Sequence, residues 1–110
     1  MEELDLFREG LIFFNAGQYF EAHEVWEDLW RSTAKGPLRN FYQGLIQAAV
    51  GLHHLHRGNT AGARSQLTKS IENLGGGTAE VLGIDAENLI AELNRVRREM
   101  RSEKVQIRAR

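Results

Sequence analysis

Apolar residues in the first half of the chain recur at three- and four-residue intervals, which is the spacing of a helix face. They predict one helix over residues 3–15 and a second over 19–32, separated at Gly17. A third helix, over 37–57, begins at Pro37, where a missing N–H costs nothing, and is apolar nearly all round. A helix of this kind is expected at the centre of a bundle.

The same helical spacing continues in the second half of the chain. It predicts a fourth helix over residues 60–74, ended by the glycines at 75–77, and a fifth over 85–101 that Asp85 opens. The connection between these two helices contains apolar residues that we expect to pack back on the core, namely Val81, Leu82 and Ile84.

Five predicted helices place the chain in the all-α class as a compact bundle, and 110 residues suit one domain over 1–110. A shift of 41 residues superimposes the second helical pair on the first, with Gly58 on Gly17 and Ala63 on Ala22. The two helical hairpins have distant tetratricopeptide-like character. Because a solenoid usually needs roughly three repeats, a compact bundle is favoured over a superhelix.

Composition narrows the classes of function. Fourteen basic and fifteen acidic residues leave a net charge of -1, which gives no general attraction to nucleic acid or to an anionic membrane. The chain has no cysteine, which excludes disulfides, thiolate metal sites and cysteine nucleophiles. Its acidic start lacks the positive charge of a secretory signal. We therefore expect a cytoplasmic protein that binds neither nucleic acid nor a membrane.

Two sets of polar residues are predicted to face each other between the second and third helices. His23 and Glu27 lie about 40° apart on a helical wheel and border the apolar arc beside Trp30. Three polar residues of the third helix share a stripe about 40° wide, namely Gln43, Gln47 and His54. Because an unpaired buried polar group costs roughly 1–3 kcal/mol, we expect the two sets to pair across the interface. Other acids and histidines nearby fall on different faces, namely Glu24, Asp28, His53 and His56.

The predicted polar cluster has three interpretations. The first is a small-ligand or divalent-metal site, with His23, Glu27 and His54 as the metal ligands. In the second, the cluster is a hydrogen-bond network that only fixes helix docking in a structural or protein-interaction module. In the third, a small hydrolase uses Glu27 and a histidine for acid–base catalysis.

Two well-known metal motifs are excluded by spacing. The string at residues 23–27 is His-Glu-x-x-Glu, whereas zinc proteases need His-Glu-x-x-His. A di-iron carboxylate bundle needs four inward acids and paired Glu-x-x-His motifs, which the chain lacks. Any metal site would therefore be mononuclear.

The C-terminal tail leaves several alternatives open. Beyond Arg101, charged residues alternate with Val105 and Ile107, a pattern that fits fraying, a helical extension or contact with another subunit. Exposed apolar residues on the first or fifth helix could form a homodimer, and the grooves of the hairpins could receive a protein partner.

Three segments together resemble a known family. They are Asn-Ala-Gly-Gln-Tyr-Phe-Glu-Ala-His-Glu-Val-Trp-Glu at 15–27, Gly-Leu-Ile-Gln-Ala-Ala at 44–49, and Arg-Gly-Asn at 57–59. Over about residues 7–74 the chain resembles the prokaryotic family called domain of unknown function 309. The resemblance implies a compact α-helical bundle and no established activity. Its motif positions correspond to His23, Glu24, Glu27, Trp30, Gln47 and His54.

Overall fold

A computed structural model describes residues 2–76, 82–101 and 103–110 of the chain. The helices are α1 Glu3–Asn15, α2 Tyr19–Arg31, α3 Pro37–His56, α4 Thr60–Leu74 and α5 Ala86–Glu99. The prediction of an all-α bundle is confirmed. Within the described residues, β pairing is limited to one isolated antiparallel bridge between Ile84 and Ala109.

The turns inside the two helical hairpins are alike. Gly17 follows α1 with a φ of 80°, and Gly58 follows α3 with a φ of 79°, a left-handed conformation that glycine adopts without strain. Asn59 then caps α4, because its Oδ1 accepts the N–H of Gly62 at 2.9 Å. The two hairpins therefore share the turn that the 41-residue echo of the sequence suggested.

The first hairpin closes around Trp26, which is fully buried. α1 passes directly over the indole at Gly10, where a Cβ atom would lie 2.0 Å from Trp26 Nε1. The indole N–H donates to the carbonyl oxygen of Phe7 at 3.2 Å. A glycine at this position is thus what allows α1 and α2 to approach so closely.

α3 is the central helix, as predicted, and packs on both α2 and α4. Glycines let α4 approach it, since a Cβ atom at Gly51 would lie 2.9 Å from the side chain of Leu67. The buried hydroxyl of Ser70 donates to the carbonyl oxygen of Gly44 at 2.6 Å, which fixes the two helices in register. No helix in the described part of the chain has both the length and the apolar character needed to cross a membrane.

The chain after α5 differs from the prediction. The helix ends at Glu99 and not at residue 101, because Met100 adopts the left-handed conformation with a φ of 52°. Residues 103–110, which we call the C-terminal strap, then run in extended form back along α1 and α2. A helical extension of α5 is therefore wrong, and so is fraying, because Val105 and Ile107 are buried.

The connection before α5 packs against the core, as expected. Ile84 is buried, and Leu82 packs partly buried against the hydrophobic core. Val81 lies outside the described residues. Asp85 caps α5 by accepting the N–H of Asn88 at 3.0 Å.

Candidate ligand-binding groove

A groove of about 330 Å³ opens between α2, α3 and α4. Its lining combines four polar side chains with two aliphatic ones and the indole of Trp30. Its lining residues are Glu27, Trp30, Gln43, Ile46, Gln47, Val50 and Gln66. Four of them were predicted from the sequence, namely Glu27, Trp30, Gln43 and Gln47.

Three lining residues escaped the sequence reasoning, namely Ile46, Val50 and Gln66. The first two were assigned to the apolar surface of α3. Gln66, Ser70 and Asn73 lie on one face of α4 at helical spacing, and all three face α3. That polar stripe was the signal that could have identified α4 as the third wall.

His23 and Glu27 form a pair within α2. Nε2 of His23 lies 3.3 Å from Oε1 of Glu27, and its Nδ1 lies 3.1 Å from the carbonyl oxygen of Phe20. Because both ring nitrogens face oxygen acceptors, the two contacts are hydrogen bonds together only when the ring is doubly protonated. Arg31 reaches the other carboxylate oxygen of Glu27 at 3.4 Å.

The His23–Glu27 pair is more exposed than predicted. The side chains are 22% and 38% exposed, respectively, and neither belongs to the buried core. An ion pair at such exposure contributes little to stability, typically about 0–1 kcal/mol. The expectation that a buried cluster locks α2 to α3 is therefore wrong for these two residues.

The polar stripe of α3 forms its hydrogen bond with α4 instead of α2. Nδ2 of Asn73 donates to Oε1 of Gln47 at 2.8 Å, and within the described residues no hydrogen bond joins the His23–Glu27 pair to the polar stripe of α3. The helix lock that the sequence suggested thus exists between α3 and α4. Between α2 and α3, Nε of Arg39 donates to the carbonyl oxygen of Trp30 at 3.3 Å, and this bond involves neither His23 nor Glu27.

His54 does not join the groove. Its Nδ1 lies 3.4 Å from Nδ2 of Asn59, at the turn between α3 and α4. The helical wheel placed it beside Gln47 in angle, but seven residues of helix separate the two by roughly 10 Å along the axis. Over the described residues, no three His, Asp or Glu side chains are grouped closely enough to hold a metal ion. The predicted set of His23, Glu27 and His54 is therefore not assembled.

His53, which the sequence placed outside the cluster, contacts it through an aromatic ring. The centroid of Phe20 lies 5.4 Å from that of His53 and 5.3 Å from that of His23, both in edge-to-face geometry. Burial lowers the pKa of His53, and the positive charges of Arg57 and of the neighbouring histidines lower it further, against a smaller opposite effect of Glu21. His56 lies against the ring of Tyr19, also away from the groove.

A family model described as a domain of unknown function, DUF309, matches residues 7–66, which is more than half of the chain. The chain belongs to the DUF309 family. All seven groove-lining residues fall inside the matched segment, whereas the C-terminal strap falls outside it.

Two proteins that are similar to this chain are longer than it. The uncharacterized protein YpuF of Bacillus subtilis (strain 168) is 37% identical over 83 residues, which cover 73% of this chain and 48% of YpuF. An uncharacterized protein of Aquifex aeolicus (strain VF5) is 27% identical over 94 residues, which cover 86% of this chain and 28% of that protein. The chain thus spans about half of the first relative and about a quarter of the second.

Several polar groups of the DUF309 groove have no partner in the described structure. Nε1 of Trp30 is buried without a hydrogen-bond acceptor among the described residues. Within the same residues, the carboxamides of Gln43 and Gln66 make no hydrogen bond. Because carboxamides both donate and accept, these two side chains can bind a ligand from opposite walls.

Arg39 packs against Trp30, one of the lining residues of the groove. Its guanidinium carbon lies 3.8 Å from the centroid of the Trp30 ring, and its Nε donates to the carbonyl oxygen of Trp30 at 3.3 Å. The first contact holds the indole and the second ties Arg39 to the backbone of α2. Trp30 is therefore a well-ordered wall of the groove, and Glu27 supplies a carboxylate to the lining.

Proposed function

We propose that this DUF309 protein is a binding module that holds a small polar ligand in the groove between α2, α3 and α4. The observation that carries the proposal is that two unpaired carboxamides, Gln43 and Gln66, line one groove together with the aliphatic side chains of Ile46 and Val50. The N–H of the Trp30 indole in the same groove is buried without an acceptor among the described residues, and a buried polar group of this kind favours an external partner.

The lining defines the chemical class of the ligand. A volume of about 330 Å³ suits a molecule at the small end of the usual range for ligand sites. Gln43 and Gln66 match groups that both donate and accept, such as amides and hydroxyls, and Ile46 and Val50 match a short apolar part. The carboxylate of Glu27 favours a neutral or cationic ligand over an anion.

Metal binding and hydrolysis are less well supported than ligand binding. The groove contains Glu27 but none of the histidines, and His23 contacts Glu27 from outside the lining. A small hydrolase would need a histidine within reach of the substrate as well as the carboxylate. We therefore assign Glu27 a binding role, and we keep the cytoplasm as the proposed location on the cysteine-free composition.

Nuclear magnetic resonance of the full chain tests the proposal. The probes are small primary amides, amines and diols, added one at a time to protein labelled with nitrogen-15. We expect the amide and amine probes to shift the side-chain NH₂ signals of Gln43 and Gln66, and Gln43→Leu to weaken binding by about tenfold, because one bidentate partner is lost.

Gln18→Leu is the matched control, since Gln18 is an exposed glutamine outside the groove whose side chain caps nothing. It should leave the shifts unchanged. Shifts that spread over the whole surface, or that persist in both Gln43→Leu and Gln66→Leu, would refute a site in this groove.

Protein interaction is a second candidate function, and a different observation favours it. The C-terminal strap is held as an extended peptide by side chains of α1 and α2. A surface that holds one such peptide has the chemistry to hold another.

A further inference from the structure

The C-terminal strap is bound along one edge by two side chains. The hydroxyl of Tyr19 accepts the N–H of Val105 at 2.9 Å and donates to its carbonyl oxygen at 3.3 Å. Oδ1 of Asn15 accepts the N–H of Ile107 at 2.7 Å, and Nδ2 donates to the carbonyl oxygen of Ile107 at 3.0 Å. Each side chain thus satisfies both backbone groups of one strap residue.

The opposite edge of the strap is bound by backbone. The N–H of Asp85 donates to the carbonyl oxygen of Arg108 at 2.8 Å, and the N–H of Arg110 donates to that of Gly83 at 2.9 Å. Odd-numbered strap residues bond to the helices and even-numbered ones to residues 83–85, which is the alternation of a β-strand with both edges paired. We call the surface made by Asn15, Tyr19 and residues 83–85 the strap seat.

The face of the strap that lies on the seat is apolar. Val105 and Ile107, two residues apart, are 1% and 5% exposed. Backbone hydrogen bonds combined with pockets for alternate side chains are the features of β-strand addition, in which a protein recognises an extended peptide. A cavity of about 340 Å³ remains beside the strap, lined by Leu11, Leu82 and Ile107 among others. The seat therefore has the features of a peptide-binding site.

A strained backbone conformation and a group of ion pairs lie near the start of the strap. Met100 takes a left-handed conformation, which is unfavourable for a residue with a side chain. Arg95 on α5 forms ion pairs with Glu92 and Glu99 of its own helix and with Glu103 of the strap. If Met100 became helical, α5 would lengthen, the strain would disappear and the strap would point away from its own seat.

We propose that the strap seat is an extended-peptide site that binds, in trans, the C-terminal strap of a second copy of this chain. The strap is the occupant that the structure itself shows to satisfy the seat, and an exchanged strap makes the same contacts as the original one. Exchange also removes the left-handed strain at Met100, because that residue no longer has to turn the chain back. The inference does not depend on the ligand groove.

A pair of complementary variants tests the exchange in the full chain. Ile107→Asp puts a charge on the apolar face of the strap and leaves the seat unchanged. The double variant Asn15→Ala with Tyr19→Phe removes hydrogen-bonding groups from the seat and leaves the strap unchanged. Each alone should be monomeric by light scattering and native mass spectrometry. Their equimolar mixture should form a heterodimer, because one intact strap then meets one intact seat. A mixture that stays monomeric at millimolar protein overturns the proposal.

A peptide-binding experiment tests the same proposal if one of these variants folds poorly. The probe is a fluorescent synthetic peptide of residues 103–110, added to the Ile107→Asp chain and to the milder Val105→Thr chain after far-ultraviolet circular dichroism has confirmed their helices. The proposal is supported if the peptide binds these two chains saturably and binds the double variant Asn15→Ala with Tyr19→Phe at least about tenfold more weakly. Equal binding of a scrambled peptide, or none of the strap peptide in either chain, overturns it. Gln43→Leu should leave the peptide affinity unchanged.

Discussion

The ligand groove and the strap seat contain similar side chains in opposite states. Each combines carboxamide and aromatic side chains with aliphatic surface. In the seat, Asn15 and Tyr19 are fully bonded to the strap. In the groove, the carboxamides of Gln43 and Gln66 make no hydrogen bond within the described residues. The difference teaches that hydrogen-bond satisfaction, more than residue type, separates a site already occupied by the chain from one open to a ligand.

The largest expected effect comes from forcing α1 away from α2. Gly10→Ala places a Cβ atom 2.0 Å from Trp26 Nε1, and the buried indole cannot move aside. We expect the free energy of unfolding to fall by about 3 kcal/mol, because overpacking exceeds the gain in helix propensity. Urea unfolding measures the change.

Gly10→Ala should disturb the strap seat more than the groove. Asn15 of the seat lies on α1, whereas no residue of α1 lines the groove. Gly76→Ala is the control, since a Cβ atom there is in ordinary contact, 3.7 Å from the nearest atom. Equal stability of the two variants would contradict the close approach at Trp26.

The next largest effect distinguishes the seat from an ordinary surface. Asn15→Ala removes both hydrogen bonds to the backbone of Ile107. We expect a loss of about 2 kcal/mol in the free energy of unfolding, limited by the freedom of the strap to leave the seat and bond to water. Hydrogen exchange at the amide of Ile107 should become faster at the same time.

Asn40→Ala is the matched control for Asn15→Ala, because Asn40 is an exposed asparagine on α3. Its stability should stay within about 0.5 kcal/mol of the parent. An unchanged exchange rate at Ile107 in Asn15→Ala would show that the asparagine does not hold the strap.

A third prediction separates two glutamines inside the groove. Gln47→Leu breaks the hydrogen bond to Asn73 and should lower the free energy of unfolding by about 1 kcal/mol. Gln43→Leu breaks no hydrogen bond among the described residues and should change stability by less than about 0.5 kcal/mol. Thermal unfolding of the two variants side by side checks the contrast. The reverse order would mean that Gln43, and not Gln47, has the structural role.

The smallest effect concerns pH. Burial and nearby positive charges lower the pKa of His53 in the folded state below its ordinary value of 6.5. The unfolded chain therefore binds more protons near that pH, and stability should fall as the pH drops from about 7.5 to about 5.5. His53→Gln should reduce this loss and leave stability near pH 7.5 almost unchanged. An identical loss in the parent and the variant would exclude His53 as its source.

Local signals predicted the helices well. Gly17, Pro37 and Asp85 act within one turn of a helix end, so the sequence around each was sufficient to place it. The largest difference at a helix end is at Met100, where the strap is held by residues distant along the chain. Asn15 and Ile107 are 92 residues apart, and no periodicity connects them.

The candidate site was predicted in part for a related reason. A helical wheel reports angle and ignores the rise along the axis, so it placed His54 with Gln47 although about two turns of helix separate them and each contacts a different residue. The wheel also placed His53 on another face of α3. It could not show that His53 contacts Phe20, because that ring belongs to α2. Angle within one helix can be read from sequence, whereas the level at which two helices meet depends on tertiary packing.

The distance along the chain between the strap and its seat has a consequence for the synthesis of the protein. α1 and α2 leave the ribosome before the strap, and the part of the seat formed by Asn15 and Tyr19 stays empty until about 90 further residues have been added. At about 5–20 residues per second, that interval lasts roughly 5–20 seconds. Throughout it, the nascent chain exposes a vacant acceptor edge beside other chains translated from the same messenger.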